Sequence, residues 1–567
     1  MTLRLALLAS TLLSVSACAT APAPEPVAAA LADAAPIAPA APAVTAESER
    51  TKLWTLFKQS DEDSLRRNPI QALFRGDQRY ADRLGDFISD EYYAAEKAAA
   101  EQELATLARI DRSQLNPTDQ LAYDVFKFDR EDTLRGYQPD LLALTRVRPM
   151  NHFFGAPFAT VADYENNLKR HKDFVAFLDR AVGRWREGMA AGVVDTKLTV
   201  RNMIEQLNTQ LKQKPEESPY FGPVKQFPDA IGAADRQRLT AAYRAAITDE
   251  LYPALTRTRD FLRDEYLPAA REGMGLMYMK GGDRLYRHLV KSTTTLDLTP
   301  EEIHELGLRE VARITAEMEK VKQEVGFRGT LQQFFNHLRT DPKFKPKSRE
   351  ALTQGYYDIG KKVDAELPRF FSTIPKTRLE IRPYEPFRER FQAGGSYSQG
   401  TPDGSRPGIF YFNAYDLPSR TTPGMTTLYL HEGAPGHHFQ ISLAQENDAL
   451  PPFMRFGGNT AFAEGWALYA ETLGYDMGVF NDPYQRFGTL SDEMLRAMRL
   501  VVDTGIHSKG WTREQAIQYM LTHSDMGKTD ATAEVERYIA IPSQALAYKI
   551  GALTIQRLRK EAEAELG

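Results

Sequence analysis

The sequence predicts a mainly α protein that contains one small β-sheet. Helix signals recur along almost the whole chain, as apolar residues at the 3–4 spacing that places them on one helical face. Strand signals are confined to two short segments. About 520 residues follow the N-terminal segment, which is more than one hydrophobic core usually contains, so we expect two lobes with a deep cleft between them.

The clearest predicted helix begins at Pro300, where Thr299 and Glu302 have the spacing of a capping box. Its core-facing stripe comprises Val311, Ile314, Met318, Val321 and Val325. A second helix is predicted after Pro117, with its apolar stripe at Leu121, Val125 and Phe128. Thr512 begins a further helix with the same capping pattern.

Two segments carry strand signals, residues 377–382 and residues 409–412. The second segment is apolar and aromatic, and it lies between Gly408 and Asn413. The glycine-rich stretch 394–400 precedes it and is typical of a mobile loop. These signals predict a single small sheet in the second half of the chain.

The composition is that of a globular protein with a nearly balanced charge. Hydrophobic residues make up 42% and charged residues 26% of the chain, and the formal net charge is −5. Such a chain has no basic excess that would attract nucleic acid or an anionic membrane surface. We therefore expect no nucleic-acid partner.

Residues 1–17 have the pattern of a signal peptide. Arg4 precedes the apolar stretch 5–13, which is too short to span a bilayer. The residues Val-Ser-Ala-Cys at 15–18 resemble the bacterial lipobox, in which the cysteine is lipidated and becomes the mature N-terminus. The alternative is an ordinary secretory signal with an incidental cysteine. Cys18 is the only cysteine, so no disulfide can form within the chain.

Residues 18–47 are rich in alanine and proline, a composition that cannot bury a core and that behaves as a semi-extended spacer. The folded body is therefore predicted to span residues 48–567. By the same resemblance to lipoproteins, Ala19 rather than aspartate after the cysteine favours the outer membrane of a Gram-negative envelope. We expect a protein of the cell envelope that is anchored by lipid at the periplasmic face of the outer membrane.

The densest cluster of chemically active residues is the segment His431-Glu432-Gly-Ala-Pro-Gly-His437-His438, which holds three of the ten histidines. Imidazole nitrogens and carboxylate oxygens are donors that suit a Zn²⁺ ion. In the common H-E-x-x-H helix, the two histidines are four residues apart and share one face. Here the second histidine follows six or seven residues after the first.

Two residues could supply the second imidazole. On a regular helix His438 shares a face with His431, but it lies roughly 10 Å further along the axis. Pro435 prevents a regular helix because its ring clashes with the carbonyl of His431. A bulge or break would shorten the path and bring His437 to the ion. We therefore predict His437 as the ligand, with His438 as the alternative.

The third ligand is predicted from the helical segment 461–471, whose two carboxylates lie seven residues apart on one face. Glu464 is the expected ligand, and Glu471 is expected to accept a hydrogen bond from a ligand histidine. A solvated surface carboxylate is the alternative for Glu471. For the whole cluster, the alternative is a set of histidines that pack around Pro435 without a metal.

Three strings of residues resemble a bacterial family, the domain of unknown function numbered 885: the segment 431–438, the string Ala-Glu-Gly-Trp-Ala-Leu-Tyr-Ala-Glu at 463–471, and the segment 536–551. More distantly, the order of parts is similar to the gluzincin peptidases that include angiotensin-converting enzyme. In those enzymes a His-Glu helix, a later glutamate helix and a late Arg-Tyr pair follow one another. The resemblance implies a two-lobed gluzincin-like fold, a Zn²⁺ cofactor and the activity of a metallopeptidase.

The resemblance also implies roles for three further residues. Glu432 is expected to act as the general base, and Tyr538, carried over by its Arg-Tyr pair, as a hydrogen-bond donor to the tetrahedral intermediate. His507 is expected to be a second donor or a substrate contact, and a structural histidine is the alternative.

The expected substrate is a short peptide, cleaved by an exopeptidase or oligopeptidase. The strand 409–413, with Tyr411 and Asn413, could pair with an extended peptide by strand addition. A carboxylate of the substrate could be bound by one of the basic residues Arg537, Arg420 and Lys549.

Two other functions are compatible with the sequence. A metal-dependent amidase or esterase could act on a non-peptide substrate of the envelope. A non-catalytic lipoprotein could bind peptides in the cleft, although such a protein has no need of a general base at Glu432.

Overall fold

Helices make up most of the computed structural model, which describes residues 46–144, 158–384, 389 and 393–567, and the prediction of a mainly α protein is confirmed. The described residues belong to one compact unit, Ala46–Gly567, and its division into two lobes stays a prediction. Within these ranges, every helix is too short or too polar to cross a lipid bilayer. The predicted signal peptide, Cys18 and the spacer up to residue 45 lie outside the described residues.

The helices of the first half of the chain are α1 (Ala46–Arg67), α2 (Pro69–Phe74), α3 (Asp90–Leu107), α4 (Pro117–Gly136), α5 (Val161–Ala191), α6 (Lys197–Leu211), α7 (Ala233–Ala245), α8 (Tyr252–Phe261), α9 (Leu267–Ala269) and α10 (Gly282–Thr294). Two π-helical turns, Ala246–Leu251 and Leu262–Tyr266, connect α7, α8 and α9 into one helical run.

The helices of the second half are α11 (Pro300–Glu324), α12 (Leu331–Thr340), α13 (Arg349–Phe370), α14 (Met425–Glu432), α15 (His437–Glu446), α16 (Pro452–Phe456), α17 (Thr460–Asp476), α18 (Pro483–Lys509), α19 (Arg513–His523), α20 (Lys528–Ala540) and α21 (Ala547–Leu566). The strands are β1 (Leu379–Pro383), β2 (Gly395–Ser398) and β3 (Gly408–Phe412). Short 3₁₀ turns occur at Gln78–Tyr80, Arg112–Gln114, Pro139–Leu141, Pro219–Val224, Leu276–Tyr278, Pro342–Phe344, Leu417–Ser419 and Gln544–Leu546.

The predicted helix starts are confirmed where a capping pattern marked them. Thr299 and Glu302 form a capping box at α11, and Thr512 forms one with the third residue of α19. The helix predicted after Pro117 is α4, but its core face was predicted wrongly. Leu121 is 55% exposed, whereas Ala122 and Phe126 are buried, because the core-facing side of α4 lies one residue further along the helix.

The second half of the molecule is held together by two long helix pairs, α11 against α18 and α17 against α21. The predicted stripe of α11 is buried against α18, apart from Val325 at its end, which is partly buried. In the other pair the backbones approach closely, and a Cβ added at Gly465 would lie 2.5 Å from the Cα of Gly551. Two glycines therefore allow α21 to lie directly against the helix that carries Glu464.

The small sheet has the strand order β1-β3-β2, with β1 parallel and β2 antiparallel to β3. Its buried residues Phe410 and Phe412 pack against Tyr356 of α13, and Phe410 also packs against Tyr429 of α14. The sheet therefore supports the helix that ends at His431 and Glu432.

Two expectations about the sheet are wrong. Residues 395–398, within the stretch predicted as a mobile loop, form the edge strand β2. The strand 409–413 was expected to accept an extended peptide, but β3 is the central strand and both its edges are already paired. A strand in this position has no free backbone N–H and C=O groups to offer.

Candidate metal centre

The helix that carries the first histidine ends one residue after it, and a break of four residues follows. α14 ends at Glu432, α15 begins at His437, and residues 433–436 form a break between them. A Cβ on Gly436 would collide with the carbonyl of His431, so this turn requires glycine. Because of the break, the ring centroids of His431 and His437 are only 4.9 Å apart, with the rings nearly perpendicular.

Glu464 of α17 completes a cluster of three potential ligands. Its Oε2 lies 3.2 Å from Nε2 of His437 and 3.8 Å from Nε2 of His431. One donor atom from each of the three residues lies within 4.8 Å of the other two. Donor atoms around a tetrahedral zinc ion are about 3.4 Å apart, as follows from bond lengths of about 2.0–2.1 Å. The two histidines and the glutamate therefore fit a zinc ion.

Glu471 contacts the ring nitrogen of His431 that faces away from the other two potential ligands. Its Oε1 accepts a hydrogen bond of 2.8 Å from Nδ1 of His431, and its side chain is almost completely buried. When the ring is neutral, as in a metal-binding histidine, the proton on Nδ1 leaves Nε2 unprotonated on the side that faces Glu464. This is the arrangement in which a carboxylate orients a metal-binding histidine.

The charges in the cluster favour a bound cation. Burial lowers the pKa of His431, but the carboxylates of Glu464 and Glu471 raise it by more, to about 10. Burial raises the pKa of Glu464, yet its contacts with His431 and His437 bring it below its usual value. Burial also raises the pKa of Glu471. The raised pKa of His431 shows that the neighbouring carboxylates stabilise a positive charge at this position.

Trp466 connects the break to α17. Its Nε1 donates a hydrogen bond of 2.7 Å to the carbonyl oxygen of Pro435. Three residues of α17 make contacts around the break: Glu464 contacts His437, Trp466 contacts Pro435, and Glu471 contacts His431.

His438 points away from the cluster. Its Nδ1 lies 3.1 Å from the hydroxyl of Tyr397 on β2 and 3.5 Å from the hydroxyl of Ser442. Burial lowers its pKa to about 4. The structure thus groups His437, and not His438, with His431 and Glu464.

Glu432 is the last residue of α14, directly beside His431, and it is buried. Its negative charge contributes to the raised pKa of His431. Among the described residues, no side chain or backbone donor lies within hydrogen-bond distance of its carboxylate. A carboxylate that is buried next to the potential ligands and not engaged elsewhere can accept a proton.

Among the described residues, Tyr538 and His507 make their hydrogen bonds with partners other than the three potential ligands. The hydroxyl of Tyr538 is fully buried, donates to Glu534 and accepts from Nε of Arg499 at 3.0 Å. His507 accepts from the backbone N–H of Leu276 with Nδ1, and its Nε2 lies 3.0 Å from the carbonyl oxygen of Tyr538. Both ring nitrogens therefore contact backbone groups, as in a structural histidine.

Asn413 and Tyr411 have structural contacts. The amide nitrogen of Asn413 donates to the carbonyl oxygens of Glu389 and Ala393, at 2.8 and 3.2 Å. The ring of Tyr411 stacks on that of Tyr384, with centroids 5.5 Å apart. These contacts anchor the chain around the sheet.

The basic residues that were considered for a substrate carboxylate are engaged as well. Arg537 pairs with Glu534 at 3.0 Å, and Lys549 is buried between two glutamates, at 2.9 Å from Glu310 and 2.6 Å from Glu493. Arg420 donates to a backbone carbonyl of its own loop. Lys549 is thus part of a buried ion cluster that connects α11, α18 and α21.

Tyr548, at the start of α21, is a partly exposed residue that was not predicted from the sequence. It precedes Gly551 by three residues, and Gly551 contacts Gly465, the neighbour of Glu464. The guanidinium of Arg499 lies 4.5 Å from the centroid of its ring. Tyr548 lies one helical turn before Gly551, and a glycine inside a helix is a signal of close helix packing. This spacing could have drawn attention to Tyr548.

Comparisons with other proteins give a family and a fold. The sequence profile of a family described as "Bacterial protein of unknown function (DUF885)" matches residues 69–567. A crystal structure described as "putative lipoprotein from Colwellia psychrerythraea" is 27% identical, with a TM-score of 0.83, and covers 92% of this chain and 94% of that one. A "putative lipoprotein of unknown function from Shewanella oneidensis" has the same fold at 16% identity and a TM-score of 0.66, over 91% and 94% of the two chains. No curated protein matches the sequence.

Proposed function

The chain belongs to the DUF885 family of bacterial proteins of unknown function, and from its metal centre we propose that it hydrolyses peptide bonds of short peptides in a zinc-dependent reaction at the cell envelope. The observation that carries the proposal is the convergence of His431, His437 and Glu464 beside the buried carboxylate of Glu432. Three protein ligands are the number found in catalytic zinc sites, in which a fourth position stays open.

His431, His437 and Glu464 would hold the ion, and Glu471 would keep the ring of His431 in the required orientation. When bound in such a site, zinc polarises a carbonyl oxygen and makes water a stronger acid. Glu432 would take a proton from the attacking water and pass it to the leaving amine. A binding protein would have no use for a buried and unengaged carboxylate at this position.

The resemblance to gluzincin peptidases supports peptide hydrolysis in particular. This chain resembles those enzymes in the order of a His-Glu helix, a later glutamate helix and a late Arg-Tyr pair. Because both edges of β3 are paired, an extended peptide could add only to an outer edge of the sheet, and β2 is the edge strand that packs against α14.

The envelope location rests on the N-terminal sequence and on the relatives. The lipobox-like residues 15–18 predict a lipid anchor at Cys18, and two proteins with this fold are described as putative lipoproteins. We propose that the spacer 18–47 holds the folded body at the periplasmic face of the outer membrane. Peptides in the periplasm would then reach the site without crossing a further membrane.

Two measurements on the purified protein test the proposal. Bound zinc per chain is compared between the wild type and Glu464→Ala, after purification without added metal. We expect one ion in the wild type and a large loss in the variant, because one of three ligands is removed. Equal zinc contents would exclude this set of ligands.

The second measurement is hydrolysis of a library of quenched fluorescent peptides. Glu432→Gln should retain zinc and lose cleavage by a factor on the order of 10² to 10⁴, the usual contribution of a general base. A Glu446→Gln variant is the matched control, since Glu446 lies on α15 and binds the backbone of residues 376–377. If zinc-loaded wild type cleaves no member of the library, the proposed activity is wrong.

A further inference from the structure

A short chain of hydrogen bonds leads from Arg537 to Tyr548. Nη1 of Arg537 donates to Oε1 of Gln544 at 2.7 Å, and Nε2 of Gln544 lies 3.4 Å from the hydroxyl oxygen of Tyr548. Arg537 itself is held by Glu534 at 3.0 Å. This series of hydrogen bonds therefore begins at the guanidinium of Arg537, whose position is fixed by Glu534, and ends at the hydroxyl of Tyr548 at the start of α21.

The direction of this chain follows from the chemistry of its first member. A guanidinium can only donate hydrogen bonds, so the atom of Gln544 that faces Arg537 must be the amide oxygen. The amide nitrogen then faces Tyr548 and donates to its hydroxyl oxygen. The hydroxyl proton of Tyr548 is consequently directed elsewhere, and the described residues place no acceptor within its reach.

Two further cations act on the same ring. The guanidinium groups of Arg499 and Arg496 lie 4.5 Å and 5.9 Å from the ring centroid of Tyr548. Their side chains are nearly buried, with 7% and 11% exposure. Two cations beside the ring stabilise its position, and they favour a negatively charged acceptor near its hydroxyl.

The position of Tyr548 relative to the metal centre follows from the contact between α17 and α21. Gly551 lies directly against Gly465, the residue after Glu464. Three residues of helix separate Tyr548 from Gly551, so its Cα is within roughly 13 Å of that of Glu464 along this path. A tyrosine side chain spans about half of this distance.

Tyr538 shows the opposite arrangement. Its hydroxyl donates to Glu534 and accepts from Arg499, so both of its functions as donor and acceptor are satisfied inside the protein. Tyr548 is partly exposed and has an unused proton. The two tyrosines are ten residues apart, and only Tyr548 can donate to a molecule from outside.

We infer that Tyr548, oriented by Gln544 and Arg537, donates a hydrogen bond to the oxygen that becomes negative when the scissile carbonyl is attacked. The inference rests on the proposed peptide hydrolysis. Tyr548 is then a catalytic residue, and Gln544 and Arg537 are positioning residues. Donors of this kind are already in place before the reaction, so they stabilise the charge without reorganisation.

Tyr548→Phe tests the catalytic role, with Tyr469→Phe as the matched control because that hydroxyl binds Arg559 on the outer part of α21. We expect kcat on the best library peptide to fall about 10²- to 10³-fold in Tyr548→Phe, with KM within about 3-fold and bound zinc unchanged. Tyr469→Phe should keep kcat. Wild-type kcat in Tyr548→Phe, or the same large loss in Tyr538→Phe alone, would overturn the inference.

Gln544→Glu tests the positioning role without a change in size. A carboxylate at residue 544 still accepts a hydrogen bond from Arg537, but it also accepts one from the hydroxyl of Tyr548 and turns that hydroxyl inward. We expect kcat to fall nearly as far as in Tyr548→Phe, whereas Gln544→Leu, which leaves the hydroxyl free to rotate, should lose about 10-fold. A Gln544→Glu variant as active as the wild type would contradict the proposed direction of the hydrogen bonds from Arg537 through Gln544 to Tyr548.

Binding of a phosphinic pseudopeptide separates this inference from the proposed function, because its charged tetrahedral group needs no turnover. Calorimetry on zinc-loaded protein should show affinity about 10²-fold weaker in Tyr548→Phe than in the wild type and Tyr469→Phe. Equal affinities would reject the role of Tyr548 while the peptidase activity stands. A wild type that takes up zinc but neither cleaves peptides nor binds this probe would reject both.

Discussion

Trp466 donates its indole N–H to the carbonyl oxygen of Pro435 at 2.7 Å, and so connects the helix of Glu464 to the break between His431 and His437. The hydrogen bond is made two residues after one potential ligand and two residues before another. It therefore fixes the positions of α14, α15 and α17, which carry the three potential ligands, relative to one another without a bound ion.

Trp466→Phe should weaken zinc binding about 10-fold or more, because partners that orient a metal site typically contribute 10- to 100-fold to affinity. The measurement is competition for zinc with a chelator of known affinity. Trp54→Phe is the matched control, since its indole also donates to an acceptor, Asp119, in the N-terminal helices. Equal affinity in Trp466→Phe and Trp54→Phe would show that the bond to Pro435 does not organise the site.

Glu471→Gln should also weaken zinc binding, by about 10- to 100-fold. The amide oxygen can still accept the hydrogen bond from His431, but the negative charge that makes the imidazole a stronger ligand is lost. The fold should be retained, because the substitution preserves the shape of a side chain whose second oxygen has no hydrogen-bond partner among the described residues. Zinc affinity that matches the wild type would mean that the charge of Glu471 has no part in the site.

Gly436→Ala should destabilise the protein by about 3 kcal/mol or more, as expected when a side chain is forced against backbone in a packed interior. The added methyl group would collide with the carbonyls of His431 and Leu430. Urea unfolding measures the effect on the metal-free protein. In Gly183→Ala the new methyl group meets no neighbour within 4 Å inside α5, so that control should be neutral or slightly stabilised.

Local sequence rules predicted the starts of α4, α11 and α19 and the break at the candidate metal centre. The proline at 435 excludes a regular helix, and the structure interrupts the helix at residues 433–436. Regular helix geometry could not distinguish His437 from His438, because the residues after a break no longer follow the rotation of about 100° per residue of the helix before it. His437 was predicted from the break itself, with His438 as the alternative. The contacts of His438 with Tyr397 and Ser442 on the far side make the distinction.

Sequence reasoning was least informative where distant segments meet. Tyr538 was chosen by its Arg-Tyr pair, but its hydroxyl is taken by Glu534 and by Arg499, a residue of another helix. Similarly, the segment 409–413 has the composition of a strand, but its own residues do not reveal that β1 and β2 pair with both its edges. Contacts of this kind depend on packing between segments, which no local pattern encodes.

The buried histidine His171 should make the protein less stable as the pH falls from neutrality. Burial, helped by the charge of Arg170, lowers its pKa from 6.5 to about 3. A group whose pKa is lowered by folding binds more protons when unfolded, so its contribution is fully present above pH 6.5 and is lost as the pH falls towards 3. From these values the loss at pH 5.5 relative to high pH is about 1.4 kcal/mol.

The measurement is urea unfolding of wild type and His171→Phe at pH 7.5 and pH 5.5. Phenylalanine keeps the ring contacts with Tyr220 and Tyr243 but cannot be protonated. Whatever its stability at pH 7.5, the variant should lose about 1.4 kcal/mol less than the wild type over this interval, because all other groups titrate alike in both proteins. His337→Phe, at a partly exposed position, should not reduce the loss in this way. The same pH dependence in wild type and His171→Phe would mean that His171 takes up its proton as readily in the folded as in the unfolded chain.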